Sequence, residues 1–528
     1  MVKVCVIGAG ASGLPAIKCA LENNFNVTCY EKSNDIGGLW RFKPYPCPDE
    51  GTVMRSTIIN TSKEMTAYSD FPPPEGTANF MHNSELLKYF RSYAQHFDLI
   101  KHIKFSTIVV NIERHEKFDH NGKWKVTVKD IETEEVTEEE YDSVMVCTGH
   151  HTTPYWPEKF RGQDNFQGKI MHSHDYKDFQ EFVDKRIVVI GIGNSGGDIA
   201  VELSKCAKNV YLSTRSGSWI INRVFDKGEP SDQVYLNRFN YHVRKFIPSY
   251  VENCFLERKV NQRFDHGRFG LKPNHRFLSA HVTVNDELPN RIISGTVIIK
   301  PNISSFGEKE VHFDDGTIVE DVDVVIFATG FSFTFPTIEN GTLIDVKDNV
   351  VELYKYMYLP RLSPHNTLCI IGLIQPTGSI MPISEMQCRV HCSVINGTIK
   401  LPSQSEMIKD AYKCNKKNMK IFVKSRRHTI QVHYVEYMEE LGKILNVRPN
   451  LLKYLFSDIK LFKCLYFHGL YPYQYRLNGI GAWSGARDAI IGAEERTFNC
   501  TRTRKTPETM KSKPICKIHL CRIVCFCD

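Results

Sequence analysis

The sequence predicts an α/β protein built from two doubly wound parallel-sheet units, the second inserted into the first. Three observations predict it. A strand, glycine turn, helix and strand open the chain; the same pattern returns near residue 186; and two apolar strands elsewhere run into small-residue turns.

The first unit begins with the apolar run Val4–Ile7, which reads as a strand. Gly8-Ala9-Gly10-Ala11-Ser12-Gly13 is the turn, Leu14–Asn23 the helix and Val27–Tyr30 the next strand, ending at Glu31. Pro15 falls in the first helical turn, where its missing N–H does little harm. In the second unit, Arg186–Ile190 is the strand and Gly191-Ile192-Gly193-Asn194-Ser195-Gly196 the turn. Asp198–Cys206 is the helix and Val210–Ser213 the strand that ends at Thr214-Arg215. Val144–Gly149 and Val324–Gly330 read as the points where the chain leaves and re-enters the first unit. The implied boundaries are 1–153, the inserted 154–330, the resumed first unit 331–445, and a membrane-facing tail region 446–528.

Each glycine turn follows a strand and opens a helix, the context in which G-x-G-x-x-G marks a dinucleotide-binding, Rossmann-like unit. The glycines let backbone approach a pyrophosphate, and the helix N-terminus supplies free N–H groups with partial positive charge. The strand tips differ. Glu31, 23 residues after Gly8, offers a carboxylate to ribose hydroxyls and repels a 2′-phosphate, so the first site suits FAD or NAD. Arg215, 24 residues after Gly191 and beside Thr214, offers a guanidinium to a 2′-phosphate, so the second site suits NADPH. Gly37-Gly38-Leu39-Trp40 follows Glu31 closely and favours FAD at the first site, as backbone passing near a long extended cofactor.

A net charge of +7 over 528 residues lacks the clustered basic signature of a nucleic-acid binder. Seventeen cysteines with no C-x-x-C, and no cationic apolar leader before Val4, suggest a reducing compartment. His150-His151 and His172-x-His174 lack carboxylate or cysteine companions at ligand spacing, and no metal is expected there.

With these motifs in place the sequence resembles the flavin-containing monooxygenases. Phe166-Gln167-Gly168, followed by His172 and Tyr176, fits that family's F-x-G-x-x-x-H-x-x-x-[YF] pattern. Phe327-Ala328-Thr329-Gly330-Phe331 resembles its F-A-T-G-Y segment, and Asn60-Thr61-Ser62-Lys63-Glu64-Met65 its N-x-S-K-E-M segment. The wording of the Asn60, Gly149 and Gly191 segments looks most like the vertebrate isoform 5 type. The resemblance implies that Gly8, Ala9, Gly10, Ala11, Ser12, Gly13, Glu31, Leu39, Trp40, Thr61 and Ser62 touch FAD. It implies that Asn60, with Gly191, Gly193, Ser195, Gly196, Gly197 and Asp198, touches NADPH, and that Thr214 and Arg215 hold its 2′-phosphate. Asn60 is the implied catalytic residue, beside the flavin's reactive edge. The implied reaction uses O2 and a C4a-hydroperoxyflavin to oxygenate small lipophilic amines, sulfides or ketones. The rival reading is an NADPH oxidase that releases H2O2. Peripheral or monotopic association with the cytosolic face of the endoplasmic reticulum membrane is expected, and a homo-oligomer stays open.

Two departures from the family pattern stand out. In Gln387-Cys388-Arg389-Val390, Cys388 and Val390 replace the usual Gly and Trp. The tail Ile515–Asp528 is short and broken by Lys517, His519 and Arg522, too short to span a bilayer, so anchoring by it is in doubt. Its cysteines Cys516, Cys521, Cys525 and Cys527 are candidate palmitoylation positions. Leu451–Phe467, apolar at helical spacing with Lys453, Lys460 and Lys463 interspersed, reads as a basic amphipathic helix. It would lie on a bilayer or cover the protein's own core.

Overall fold

The structure, a computed structural model, describes residues 1–47 and 49–504. Two five-stranded sheets, each wholly parallel, organise it. In the first, Lys3–Ile7 lies between Asn26–Tyr30 and Ser143–Val146, with Ile103–Lys104 and Leu368–Ile370 at the edges. In the second, Arg186–Ile190 lies between Asn209–Ser213 and Val324–Phe327, with Val297–Lys300 and Lys169–His172 at the edges. Each central strand is the one that feeds a glycine turn. Its apolar side chains are buried on both faces, as a parallel sheet covered by helices requires.

Every strand of the second sheet comes from residues 169–327, and the first sheet resumes at Leu368. Thr153–Pro154 and Phe331–Ser332 pair antiparallel, so the outgoing and returning connections run side by side. The packing follows this division. One apolar core draws on residues from Val4 to Ala493 but on none between Cys147 and Leu236, whereas two further cores use only residues 166–327.

The chain beyond Leu368 returns to the first body. Helix Ile380–Ile395 packs on helix Gly13–Glu22. Arg476, 1% exposed, is held by Glu385 at 2.8 Å and Asp70 at 3.1 Å, and Lys18 also bonds Asp70. Arg496 bonds Glu64 at 2.7 Å. Buried ions are tolerable only when paired, so these contacts hold residues 64–70 in one place. That segment directly follows Asn60-Thr61-Ser62.

Two sequence expectations change. The second glycine-turn helix spans Asn194–Leu203 and starts four residues before Asp198, because Gly197 N–H already donates to the Gly193 carbonyl at 2.9 Å. The stretch 451–467 is two helices, Leu451–Ser457 and Ile459–Phe467. Asp458 breaks it: its backbone is non-helical, and its carboxylate accepts Leu461 N–H at 3.0 Å as the cap of the second helix. Both roles foreseen for one helix are present, without a clean division between the two pieces. Leu461, Cys464 and Leu465 cover the core, while Leu452, Phe456 and Ile459 stay exposed. Among the described residues no helix is long and apolar enough to cross a membrane. The tail 515–528 with its four cysteines lies outside the described residues.

Candidate active site

The first turn closes so tightly that side chains are excluded. Gly8 has φ +94°, and a Cβ there would lie 2.8 Å from the Cys147 carbonyl oxygen. A Cβ on Gly13 would lie 1.7 Å from the Gly8 oxygen, inside bonding contact. Glu31 is buried beside this turn and accepts Ala9 N–H at 2.7 Å. Its other oxygen takes Ser33 N–H at 2.9 Å and the Ser33 hydroxyl at 2.6 Å. The carboxylate therefore braces the loop at the strand tip.

The glycine pair that follows has a reason the sequence did not disclose. Gly37 N–H donates to the Ala9 carbonyl at 3.1 Å, and a Cβ on Gly38 would lie 3.2 Å from Gly10 Cα. The pair packs backbone to backbone on the first turn, which places half-buried Leu39 and Trp40 beside it. Cys388, the departure on helix Ile380–Ile395, is fully buried with its sulfur 3.8 Å from the Ser12 carbonyl.

Asn60, Thr61 and Ser62 approach from another direction. The Tyr68 hydroxyl donates to the Ala11 carbonyl at 2.7 Å and ties their segment to the first turn. Thr61 and Thr66 hydroxyls lie 2.8 Å apart. Ser62 N–H donates to Asp232 at 2.7 Å, and Gln233 donates to the Ser62 hydroxyl at 3.0 Å. Burial pushes the Asp232 carboxyl up to about 6, with the Ser62 hydrogen bonds opposing that shift. Arg223 donates to Asn60 Oδ1 at 2.7 Å and pairs with Asp286 at 2.8 Å. Arg223, Asp232 and Gln233 all belong to the inserted unit. The Asn60 segment is thus one place where the two bodies meet.

The second turn repeats the geometry of the first. Gly191 has φ +106°, and its Cβ would lie 2.6 Å from the Ala328 oxygen; that of Gly196 would lie 1.8 Å from the Gly191 oxygen. Ser195 is exposed at the helix start and Gly197 is buried. Asp198 accepts the Asn285 amide at 2.8 Å, and burial raises it to about 6 despite the opposing charge of Arg223. At the strand tip the Thr214 hydroxyl accepts Gly217 N–H at 3.0 Å, leaving Arg215 exposed. Arg215 lines an open cleft of about 890 Å³ with Arg268, Lys272 and Lys300. Four cations around one cleft suit a 2′-phosphate. No spacing in the sequence joins Arg268, Lys272 or Lys300 to Arg215, and nothing joins Arg223 or Asp232 to Asn60. The predicted residues accordingly form two turn-and-tip groups, with Asn60–Ser62 against the first and bonded to the inserted unit.

The comparison with known proteins decides what this pair of sites belongs to. The model of the FMO-like family, described as flavin-binding monooxygenase-like, matches residues 1–527. The chain belongs to this family of flavin-binding monooxygenases. It is 50% identical over 505 residues to flavin-containing monooxygenase 5 of Oryctolagus cuniculus, covering 96% of this chain and 94% of that protein. To the Homo sapiens flavin-containing monooxygenase 5 it is 48% identical over 503 residues, covering 95% and 93%. The N-oxide-forming dimethylaniline monooxygenase 2 of Oryctolagus cuniculus is 43% identical over the same length. Among solved structures, the S-allyl-L-cysteine S-oxygenase of Allium sativum superposes with a TM-score of 0.65 at 22% identity, covering 94% of this chain and 98% of that one. An open form of cyclohexanone monooxygenase gives 0.58 at 15%, covering 84% and 98%, and these two likenesses speak for the fold. As a member of the flavin-binding monooxygenases, the protein is an oxidoreductase that uses FAD and NADPH to oxygenate small substrates. The two cradles fit two such dinucleotides: both are closed to side chains by backbone, one has an acidic tip and the other a basic one.

Proposed function

We propose that FAD lies along the Gly8–Gly13 turn, with Glu31, Leu39, Trp40, Thr61 and Ser62 around it. NADPH lies along Gly191, Gly193 and Ser195–Asp198, with its 2′-phosphate at Thr214 and Arg215. The substrates are small lipophilic amines, sulfides or ketones. The observation that carries this reading is the bond from Arg223 to Asn60, which joins the inserted unit to the segment beside the first turn.

When bound, the reduced flavin supplies the O2 chemistry and the nicotinamide the hydride. The chain's part is positioning. With Oδ1 of Asn60 taken by Arg223, its Nδ2, which has no hydrogen bond among the described residues, is left as a neutral donor. A neutral amide donates without changing charge as oxygen species gain or lose a proton. Asp232 and Gln233 hold Ser62, and Tyr68 holds Ala11, so the donor keeps its place relative to the turn.

Replacing Asn60 by Ala tests this. Bound FAD is expected to persist while H2O2 released per NADPH consumed rises and oxygenated product falls. An unchanged ratio removes Asn60 from catalysis. A native enzyme that already turns all its NADPH into H2O2 is an oxidase, the rival reading.

The same proposal includes peripheral association with the cytosolic face of the endoplasmic reticulum membrane. Leu452, Phe456 and Ile459 are 72%, 86% and 51% exposed, and exposed Lys453 and Lys460 lie among them. Apolar anchors with interspersed cations suit an anionic bilayer surface.

A further inference from the structure

We infer that Thr497, on helix Ala486–Asn499, is a positioning residue for the Asn60–Ser62 segment and acts through Gln233. The inference rests on the proposed catalytic role of Asn60.

The helix returns from far along the chain to the residues that follow Asn60, and two adjacent side chains dock it there. Arg496 grips buried Glu64 twice, Nε to Oε1 at 3.0 Å and Nη2 to Oε2 at 2.7 Å. The Tyr473 hydroxyl donates to the same carboxylate at 3.0 Å. Gly492 leaves room for the arginine, since a Cβ there would lie 2.9 Å from Arg496 Nη1. Thr497, the next residue, is fully buried. Its carbonyl accepts the Asn79 amide at 2.5 Å, and the Asn79 backbone carbonyl accepts Lys63 N–H at 2.7 Å.

The Thr497 side chain sets a direction. A threonine hydroxyl has one proton, and the Ala493 carbonyl takes it at 2.8 Å. Gln233 Oε1, at 3.5 Å, is the poorer acceptor. Toward Gln233 the hydroxyl therefore only accepts, and Gln233 Nε2 donates to it at 3.1 Å. Gln233 Oε1 takes the Tyr471 hydroxyl at 3.1 Å. The amide is then fixed, with Nε2 also donating to the Ser62 hydroxyl at 3.0 Å. Ser62 accepts there and gives its own proton to Asp232, a bond that opposes the upward effect of burial on that carboxyl. An orientation imposed at Thr497 thus reaches Ser62, two residues from Asn60.

Without the Thr497 hydroxyl, one Gln233 hydrogen faces a buried apolar group, and an unpaired polar group there is costly. The amide relieves this by turning, which sets its oxygen against Ser62 and draws the Ser62 proton away from Asp232. The segment then settles differently against the first turn, and Asn60 moves with it.

The test is H2O2 and oxygenated product per NADPH consumed by the full-length, FAD-loaded enzyme. The substrate is methyl phenyl sulfide or cyclohexanone, whichever wild type oxygenates faster. Thr497→Val is expected to keep its flavin and raise the ratio of H2O2 to product about fivefold, the worth of one neutral hydrogen bond. Thr497→Ser, which retains the hydroxyl, restores the wild-type ratio. In an Asn60→Ala background, Thr497→Val adds nothing, because it acts through the same residue. A wild-type ratio in Thr497→Val while Asn60→Ala raises it overturns the inference and leaves the role of Asn60 standing. A ratio in Thr497→Ser as high as in Thr497→Val, or a full additional rise on top of Asn60→Ala, also overturns it. An unmoved ratio in Asn60→Ala itself ends the reading of Asn60, and the inference with it. If Thr497→Val loses flavin, Gln233→Met decides: a raised ratio with full flavin supports the relay, and a wild-type ratio overturns it.

Discussion

Replacing Arg223 by methionine is expected to uncouple the enzyme. The guanidinium makes two contacts, to Asn60 at 2.7 Å and to Asp286 at 2.8 Å, with 12% of the Arg223 side chain exposed. Methionine keeps an apolar stem and removes both bonds. The Asp286 side chain is 38% exposed, so water replaces its partner at small cost. The effect falls on Asn60, whose carbonyl loses a charge-assisted hydrogen bond of about 1.5–3 kcal/mol. That energy is what holds the amide with oxygen toward Arg223 and nitrogen free. Without it the two orientations of the amide approach equal population, and one of them presents an acceptor where a donor is needed. The flip alone lowers product formation about twofold; the full energy, if realised in the transition state, lowers it about a hundredfold. The assay is oxygenated product and H2O2 per NADPH consumed, at saturating NADPH, with flavin absorbance as the control for folding. Product per NADPH equal to wild type, in a variant that retains its FAD, would refute the reasoning.

Three further outcomes are expected. Arg215→Ala should lower the preference for NADPH over NADH in kcat/KM by about tenfold or more, since one guanidinium at a phosphate is worth about 1.5–3 kcal/mol and Arg268, Lys272 and Lys300 remain nearby. A surviving preference places the 2′-phosphate elsewhere. Asp232, raised by burial to about 6 from an ordinary 3.8, contributes stability that is complete below pH 4 and lost as pH rises through 6. Wild type should therefore lose more thermal stability between pH 4 and 7 than Asp232→Asn does, by at most about 3 kcal/mol, and equal losses exclude the buried carboxylate. Changing Leu452 and Phe456 together to Asp should reduce sedimentation with anionic phosphatidylserine vesicles and leave NADPH oxidation in detergent unchanged, whereas undiminished sedimentation assigns membrane contact to another surface.

What the sequence made legible was local. Strand, glycine turn and helix sit within thirty residues, and the φ values of Gly8 and Gly191 follow from the same closure in both units. The insertion could be read because Val144–Gly149 and Val324–Gly330 each announce a strand end, although only the pairing of Thr153–Pro154 with Phe331–Ser332 brings the two crossings together. Where a periodic signal had two explanations, the sequence could not divide them: apolar spacing ran straight through 451–467, yet Asp458 breaks it into two helices, and exposed apolar residues sit on both. The glycine pair Gly37-Gly38 shows the same ambiguity, since contact with Gly10 accounts for it without any cofactor.

The residues around Asn60 were illegible for a different reason. Arg223 is 163 positions from Asn60, and Asp232 is 170 from Ser62. Nothing in the sequence around Arg223 says that it pairs with Asp286 and reaches Asn60. Which partner a charge meets is a property of the folded surroundings that its residue type alone does not show. Two turns of nearly identical geometry can thus serve different nucleotides. On the proposed reading their shared backbone closure takes a pyrophosphate in either unit, while selectivity is left to the side chains at the strand tips, Glu31 in one and Arg215 in the other.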